Sequence, residues 1–309
     1  MKRIVALAGG VGAARFLEGL ARVVPPEKIF IVVNTGDDAC FHNLHIAPDL
    51  DTITYTLAGV ADRRRGWGIT GDSFRCLQGL GRLGAETWFQ LGDRDLATHL
   101  YRTERLRQGS TLSQVTAEIS LALGVRATIV PMTDSPVRTQ VRTRRETLDF
   151  QTYFVRRRAR DVVQGVSFRG ARQARPAPGV IEAIREASGV VICPSNPILS
   201  IGPILAVPGI GEALRKTAAP VASISPLVAG RALKGPAARM MKSLGLVASA
   251  LGVAKLYREF ASVFVLDCAD QGQARRIEAL GLKAVVTNTI MSGWREKKAL
   301  ARIVLESLR

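Results

Sequence analysis

Four carboxylates fall within fifteen residues near the start of this chain: Asp37 and Asp38 in Asn34-Thr35-Gly36-Asp37-Asp38, then Asp49 and Asp51 in Pro48-Asp49-Leu50-Asp51-Thr52. Like charges this close repel one another unless a cation or ligand compensates them. Magnesium is held by one or two carboxylates together with water and substrate phosphate, so a metal-phosphate site is expected here. The plainer alternative is a solvated turn in which Asn34 and the aspartates bond their own backbone, followed by a helix capped by Asp51 or Thr52.

A second chemical signal precedes the acids. Gly9-Gly10-Val11-Gly12 lets backbone approach a ligand, and a helix beginning there would offer unpaired N–H groups to a phosphate. It lacks the Lys-Ser/Thr ending of a nucleotide-triphosphate loop and the spacing of a dinucleotide fingerprint. A tight turn without a ligand is the competing reading. Further along, Leu91-Gly92-Asp93-Arg94-Asp95 either delivers Arg94 to an anion and Asp93 to a hydroxyl or forms a local salt-bridged cap; His99 nearby is a candidate general base, with a structural helical histidine the favoured reading. Ser195 and Asn196 in Pro194-Ser195-Asn196-Pro197 suit recognition of phosphate or base. Ser225 to Pro236, with Arg231 and Lys234, suits a second anion cradle, and either loop could instead be an ordinary rigid connection. No nucleophile elbow of the Ser-His-Asp type is present. The inventory fits transfer of a phosphoryl-type group by positioning and electrostatics.

These segments need strands and helices to bring them together. Continuous apolar runs predict buried strands at Lys2–Ala8, Ile29–Val33, Ala127–Pro131, Val190–Cys193, Val221–Ile224, Val263–Leu266 and Ala284–Asn288. Helical spacing predicts helices over Gly12–Val23, Ser110–Leu123, Pro178–Glu186, Ile210–Lys216, Pro236–Leu244, Gln271–Leu280 and Arg295–Leu308, with a further helical run opening at Pro48. The alternation implies an α/β fold, a mostly parallel sheet with helices on both faces, whose ligand crevice lies at the carboxyl ends of the strands. The core spans about residues 1–136 and 176–309, as one domain. Between them, about 137–175 alternates polar and apolar residues and reads as an antiparallel or looped insertion.

The net charge is +17, and eleven arginines lie between Arg138 and Arg175 against Glu146, Asp149 and Asp161. Nucleic-acid modules add interleaved aromatics or a recognisable helix motif; with aromatics at 6% and no such motif, attraction of an anionic small substrate is the favoured reading. Cys40, Cys76, Cys193 and Cys268 form no paired spacing, which argues against zinc or a disulfide framework and fits a reducing cytosol. No apolar run reaches membrane-spanning length. The basic-apolar start runs into a glycine turn rather than a cleavage site, so a cytoplasmic protein is expected, with neither membrane nor nucleic acid as partner.

In their linear order, these motifs resemble the 2-phospho-L-lactate transferases of deazaflavin coenzyme F-420 biosynthesis. The stretches carrying the resemblance are Gly9–Gly12 with Ala14-Arg15-Phe16-Leu17, Val33–Asp38, Pro48–Thr52, Gly66-Trp67-Gly68, Trp88-Phe89 with Leu91–His99, Pro194–Pro197 with Ser200–Leu205, and Ser225–Pro236. The resemblance implies a Rossmann-like core with a smaller added α+β region, commonly dimeric. It also implies transfer of a phospholactyl-type group, the acyl part being lactyl, enolpyruvyl or glyceryl. The donor would be guanosine diphosphate-linked, the acceptor the ribityl hydroxyl of 8-hydroxy-5-deazariboflavin, and the leaving group GMP. Asp37 and Asp49 would then be ligands of Mg2+ or of the substrate hydroxyl, and Asp51 and Arg94 would lie near the deazaflavin. Asn34, Thr52 and Asp93 would complete the substrate-binding set, while Gly10, Gly12, Ser195, Asn196 and Lys234 would hold the guanylyl donor. A related group shares the glycine turn and an Asn-containing acidic loop but binds sugar nucleotides as a regulator; Asp49-Leu50-Asp51, the Gly92-Asp93-Arg94-Asp95 stretch and the Ser195-Asn196 loop favour the transferase.

Overall fold

The computed structural model describes residues 3–233 and 235–309. Strand β1 (Ile4–Ala8) runs into helix α1 (Gly10–Leu20) and returns as β2 (Ile29–Val33), parallel to β1. A short hairpin, β3 (Ala39–Phe41) and β4 (Leu44–Ile46), then leads into α2 (Pro48–Leu57). Three more helices follow, α3 (Arg75–Arg82), α4 (Asp93–Arg107) and α5 (Leu112–Ala122), before β5 (Thr128–Pro131) pairs with β2.

The insertion comes next. β6 (Arg138–Thr143), β7 (Thr147–Asp149) and β8 (Val163–Arg169) make an antiparallel sheet in the order β7-β6-β8, and a π-helical turn at Thr152–Arg156 separates the last two strands. Helix α6 (Val180–Glu186) leads to β9 (Gly189–Ile192), which pairs with the free side of β1. A π-helical turn, Pro197–Ile201, and helices α7 (Gly202–Ala206) and α8 (Ile210–Lys216) precede β10 (Val221–Ile224). A second hairpin, β11 (Leu227–Val228) and β12 (Arg231–Ala232), is followed by α9 (Ala237–Ser243) and α10 (Ala250–Tyr257). Finally β13 (Val263–Asp267), α11 (Ala274–Glu278), β14 (Lys283–Thr287) and α12 (Trp294–Ser307) complete the chain.

The main sheet is parallel throughout, in the order β14-β13-β10-β9-β1-β2-β5. Its central strands are apolar at every position because both faces are covered. Val5, Leu7, Phe30 and Val32 point into a core shared with α6, α8 and α10. Ile4, Ala6, Ala8, Ile29 and Ile31 point the other way, against α1 and α12. Three layers result, as the alternating pattern predicted. The expected strands and most expected helices appear within a few residues; α1 starts two residues earlier, at Gly10, and the segment Gln271–Leu280 opens as a 3₁₀ turn at Cys268–Gln273. Helices α3, α4, α7 and α10 are not among the expected ones. No single helix among the described residues is long and apolar enough to cross a membrane.

From β1 the chain lays β2 and β5 to one side, then returns through the insertion to lay β9, β10, β13 and β14 on the other. The direction therefore reverses between β1 and β9. In open α/β sheets, the crevice outside the strand carboxyl ends at such a reversal is where ligands bind.

Candidate active site at the sheet reversal

The loops after β1 and β9 are clasped together at that reversal. Ser195 Oγ donates to the Gly9 carbonyl at 2.9 Å and accepts from the Gly9 N–H at 3.3 Å. A Cβ on Gly12 would lie 2.3 Å from the Pro194 carbonyl oxygen, so only glycine permits this approach. Gly10 sits at φ +72°, in the left-handed region that favours glycine. No N-cap side chain closes the start of α1; the Gly10 N–H is turned to the Asp49 carboxylate, and the N–H groups of Val11 and Gly12 are left for an anion. Asn196 accepts from the N–H groups of Ile198 and Leu199 and so fixes the turn that follows.

Opposite the glycine turn stand the acids. Asn34, at the end of β2, donates from Nδ2 to Asp49 Oδ2 at 2.9 Å, while its Oδ1 accepts from the Gly36 N–H at 2.8 Å. It therefore locks the Asp37 loop against the first turn of α2. Asp37, Asp38 and Asp49 are all buried, and one carboxylate oxygen on each of Asp37 and Asp38 has no partner. Burial, reinforced by the charge of Asp49, holds the Asp37 carboxyl well above the usual carboxylate range. Burial likewise pushes Asp49 up to about 6, with Asn34 and the Gly10 backbone only partly offsetting it. Asp38 is paired with His45 Nε2 at 2.9 Å. Buried carboxylates facing one another with an orphaned oxygen are a donor set that a hard divalent cation would satisfy.

A second buried network lies beside the first. Asp51, one turn into α2, is gripped by both terminal nitrogens of Arg102 from α4, with one contact at 3.1 Å. Arg102 is 2% exposed and also reaches the His45 carbonyl at 3.3 Å and His99 Nδ1 at 3.3 Å. His99 Nε2 lies 3.2 Å from Asp95 Oδ1, which accepts from the Tyr55 hydroxyl at 2.7 Å. Burial raises the Asp51 carboxyl despite Arg102; burial acts the same way on Asp95, but the hydrogen bonds and charge around it win and hold it low. One oxygen or nitrogen from each of Asp51, Asp95 and His99 lies within 4.8 Å of the others. The Arg102 guanidinium already supplies a cation there, which favours the Asp37–Asp49 side for a metal.

Both networks face one cavity of about 610 Å³. Of the residues expected from the sequence, Gly10, Gly12, Asp37, Asp49, Asp51, Thr52, Ser195 and Asn196 line it. Asn34 stands directly behind them. Asp93 and Arg94 do not line it: the Asp93 carboxylate accepts from Ser73 Oγ and from the N–H groups of Arg75 and Cys76, capping α3, and Arg94 donates to the Thr70 carbonyl at 2.8 Å. Lys234 lies outside the described residues. Sequence alone does not single out Tyr55, Asp95 or Arg102, and it favours a structural role for His99 over a general base. Their signal was available as the helical spacings 51–55 and 95–99–102, which put each set on one face of a helix. Trp67, Phe89, Phe150 and Phe154 complete the wall; Phe150 and Phe154 stack at 5.3 Å, and Phe89 stacks on Phe41 at 4.2 Å. Such a wall suits a flat ring system.

Residues 4–291 match the family described as 2-phospho-L-lactate transferase CofD. A 2-phospho-L-lactate transferase of Methanosarcina mazei is 38% identical over 304 residues, covering 98% of this chain and 100% of that one. A phosphoenolpyruvate transferase of Streptomyces griseus is 40% identical over 310 residues, with 98% of each chain covered. A crystal structure of a UPF0052 family protein from Bacillus halodurans aligns with a TM-score of 0.66 at 16% identity, covering 98% of both chains. At that identity the likeness is one of fold.

Proposed function

Because the chain belongs to the 2-phospho-L-lactate transferase CofD family, we propose that it transfers a phosphorylated three-carbon acid in coenzyme F-420 biosynthesis. The donor is a guanosine diphosphate-linked phospholactate, phosphoenolpyruvate or phosphoglycerate, and the acceptor is the ribityl hydroxyl of 8-hydroxy-5-deazariboflavin. The acceptor oxygen attacks the phosphorus that carries the acyl group, and the bond to the GMP oxygen breaks. One observation carries this reading: the uncapped start of α1 and the Asp37–Asp49 pair face the same cavity at the sheet reversal.

Asp37 and Asp49 are the residues to hold Mg2+, which would neutralise charge on the phosphate oxygens. The glycine turn aligns the diphosphate through backbone N–H groups. The carboxylate oxygen of the Asp37–Asp49 pair that the cation leaves free would take the hydroxyl proton. Asp51, braced by Arg102, would orient the acceptor, and the aromatic wall would cover its ring and exclude water. Both kinds of relative, lactate and enolpyruvate, are of similar identity, which supports the shared chemistry over either acyl form.

The test is incubation with 8-hydroxy-5-deazariboflavin, Mg2+ and each of the three GDP-linked donors in turn. A phosphorylated deazaflavin and stoichiometric GMP are expected with at least one donor. No product with any of them would overturn the assignment.

A further inference from the structure

The chain is strongly basic, yet the cavity is lined by few cations. Among the described lining residues the cations are Arg15 and Arg65. Arg65 is committed elsewhere: its guanidinium lies 4.7 Å from the Phe74 ring and 3.8 Å from Asp62. Arg15 is different. It is half-buried, and among the described residues it takes part in no hydrogen bond or ion pair. Four carboxylates line the same cavity, Asp37, Asp49, Asp51 and Asp95, and Arg15 pairs with none of them.

An arginine held in a cavity apart from nearby acids keeps its five donors for something that is not protein. Its position says what that is. Arg15 sits on α1 one turn beyond Val11 and Gly12, both of which also line the cavity. It therefore adds its charge to the space already served by the uncapped N–H groups of α1, and both features favour an anion. Planar guanidinium donors match two phosphate oxygens at once.

We propose that Arg15 clamps the diphosphate of the donor, forming with the N–H groups of Val11 and Gly12 an anion subsite that adjoins, and is distinct from, the carboxylates that would hold the cation. The inference deepens the proposed function and rests on it for the identity of the donor. The division has a chemical use. When the bond between the two phosphates breaks, the negative charge that grows on the departing GMP phosphate falls beside a fixed positive group.

Binding of inorganic pyrophosphate, GDP, ADP and guanosine to the full chain, by calorimetry with Mg2+ present, tests this. Arg15→Gln should weaken both pyrophosphate and GDP by about tenfold or more, the expected loss of a charge-assisted contact, and leave guanosine unchanged. Arg15→Lys should recover part of it, and unchanged melting should accompany both variants. Affinity for pyrophosphate and GDP within twofold of wild type in Arg15→Gln would overturn the clamp. A wild type that binds pyrophosphate but does not prefer GDP to ADP would overturn the guanine donor and leave the clamp standing if Arg15→Gln loses pyrophosphate. A wild type that binds none of these probes would overturn both.

Discussion

At the carboxyl end of the parallel sheet, buried aspartates and close-packed glycines face the cavity; over its mouth, the insertion contributes Phe150, Gln151, Phe154 and Val155. The two regions handle charge in opposite ways. The sheet end gathers carboxylates where water is scarce, so each one is costly and each neighbour shifts its ionisation. The insertion carries eleven arginines, none of them buried, and none lines the cavity. Several are occupied locally: Arg157 with Glu146 and Asp161, and Arg156 with Glu86 and the Trp88 ring. The lesson is that net charge marks a surface, whereas chemistry needs a charge that has been desolvated and aimed. None of the insertion's arginines lines the cavity, so their charge acts on it only from a distance.

If that contrast is right, substitutions at the sheet end should act through burial and those in the insertion should barely register. The largest effect is expected from Arg102→Leu, which strands the Asp51 carboxylate in the interior. Loss of about 3–5 kcal/mol of stability is expected by denaturant unfolding. A cost below 1 kcal/mol would mean that Asp51 is solvated and the buried network is not what holds it. Next, Asp37→Ala and Asp49→Ala should each lower transfer by about two to three orders of magnitude while the fold remains intact. Full activity in both would remove the acidic cluster from the chemistry.

Much of this contrast could be read from residue order, and the part that could not has a physical reason. Apolar runs such as Ile29–Val33 announce a strand buried on both faces, and polar groups directly after them must sit at the sheet end. Asn34, Asp37 and the Gly9–Gly12 turn were therefore legible. The insertion's antiparallel character showed in the alternation of β6, where Thr139, Val141 and Thr143 are buried and Arg142 is exposed. What stayed hidden depends on packing between elements distant in sequence. Arg102 meets Asp51 only because α4 lies across the start of α2, and Phe154 reaches the cavity only because a π-helical turn aims it there. Asp93 shows the converse: its alternating charges look chemical, and its geometry is that of a cap.

A smaller effect follows from the raised Asp49 carboxyl. Its folded-state value of about 6 lies above the ordinary 3.8, so its contribution to stability is complete below about 3.8 and is lost as the pH rises through about 6. Without divalent cation, Asp49→Asn should therefore be more stable than wild type to denaturant at pH 7 by about 1–3 kcal/mol, with the gap closing as the pH falls towards 4. Magnesium should raise the wild type and narrow that gap. A pH-independent difference would show that Asp49 is already compensated by the protein itself. The smallest effect belongs to the insertion: Arg144→Gln with Arg145→Gln should change stability by less than about 0.5 kcal/mol and leave saturating transfer within about twofold. A larger loss at saturation would place the insertion's arginines in the site after all.

The most direct measurement is a crystal structure of the full chain with GDP and manganese, located by its anomalous signal. The account predicts a manganese peak between the Asp37 and Asp49 carboxylates, with the diphosphate against the start of α1 at Gly10 to Gly12. A peak enclosed by Asp51, Asp95 and His99, or a nucleotide lying on the arginines of the insertion, would contradict it.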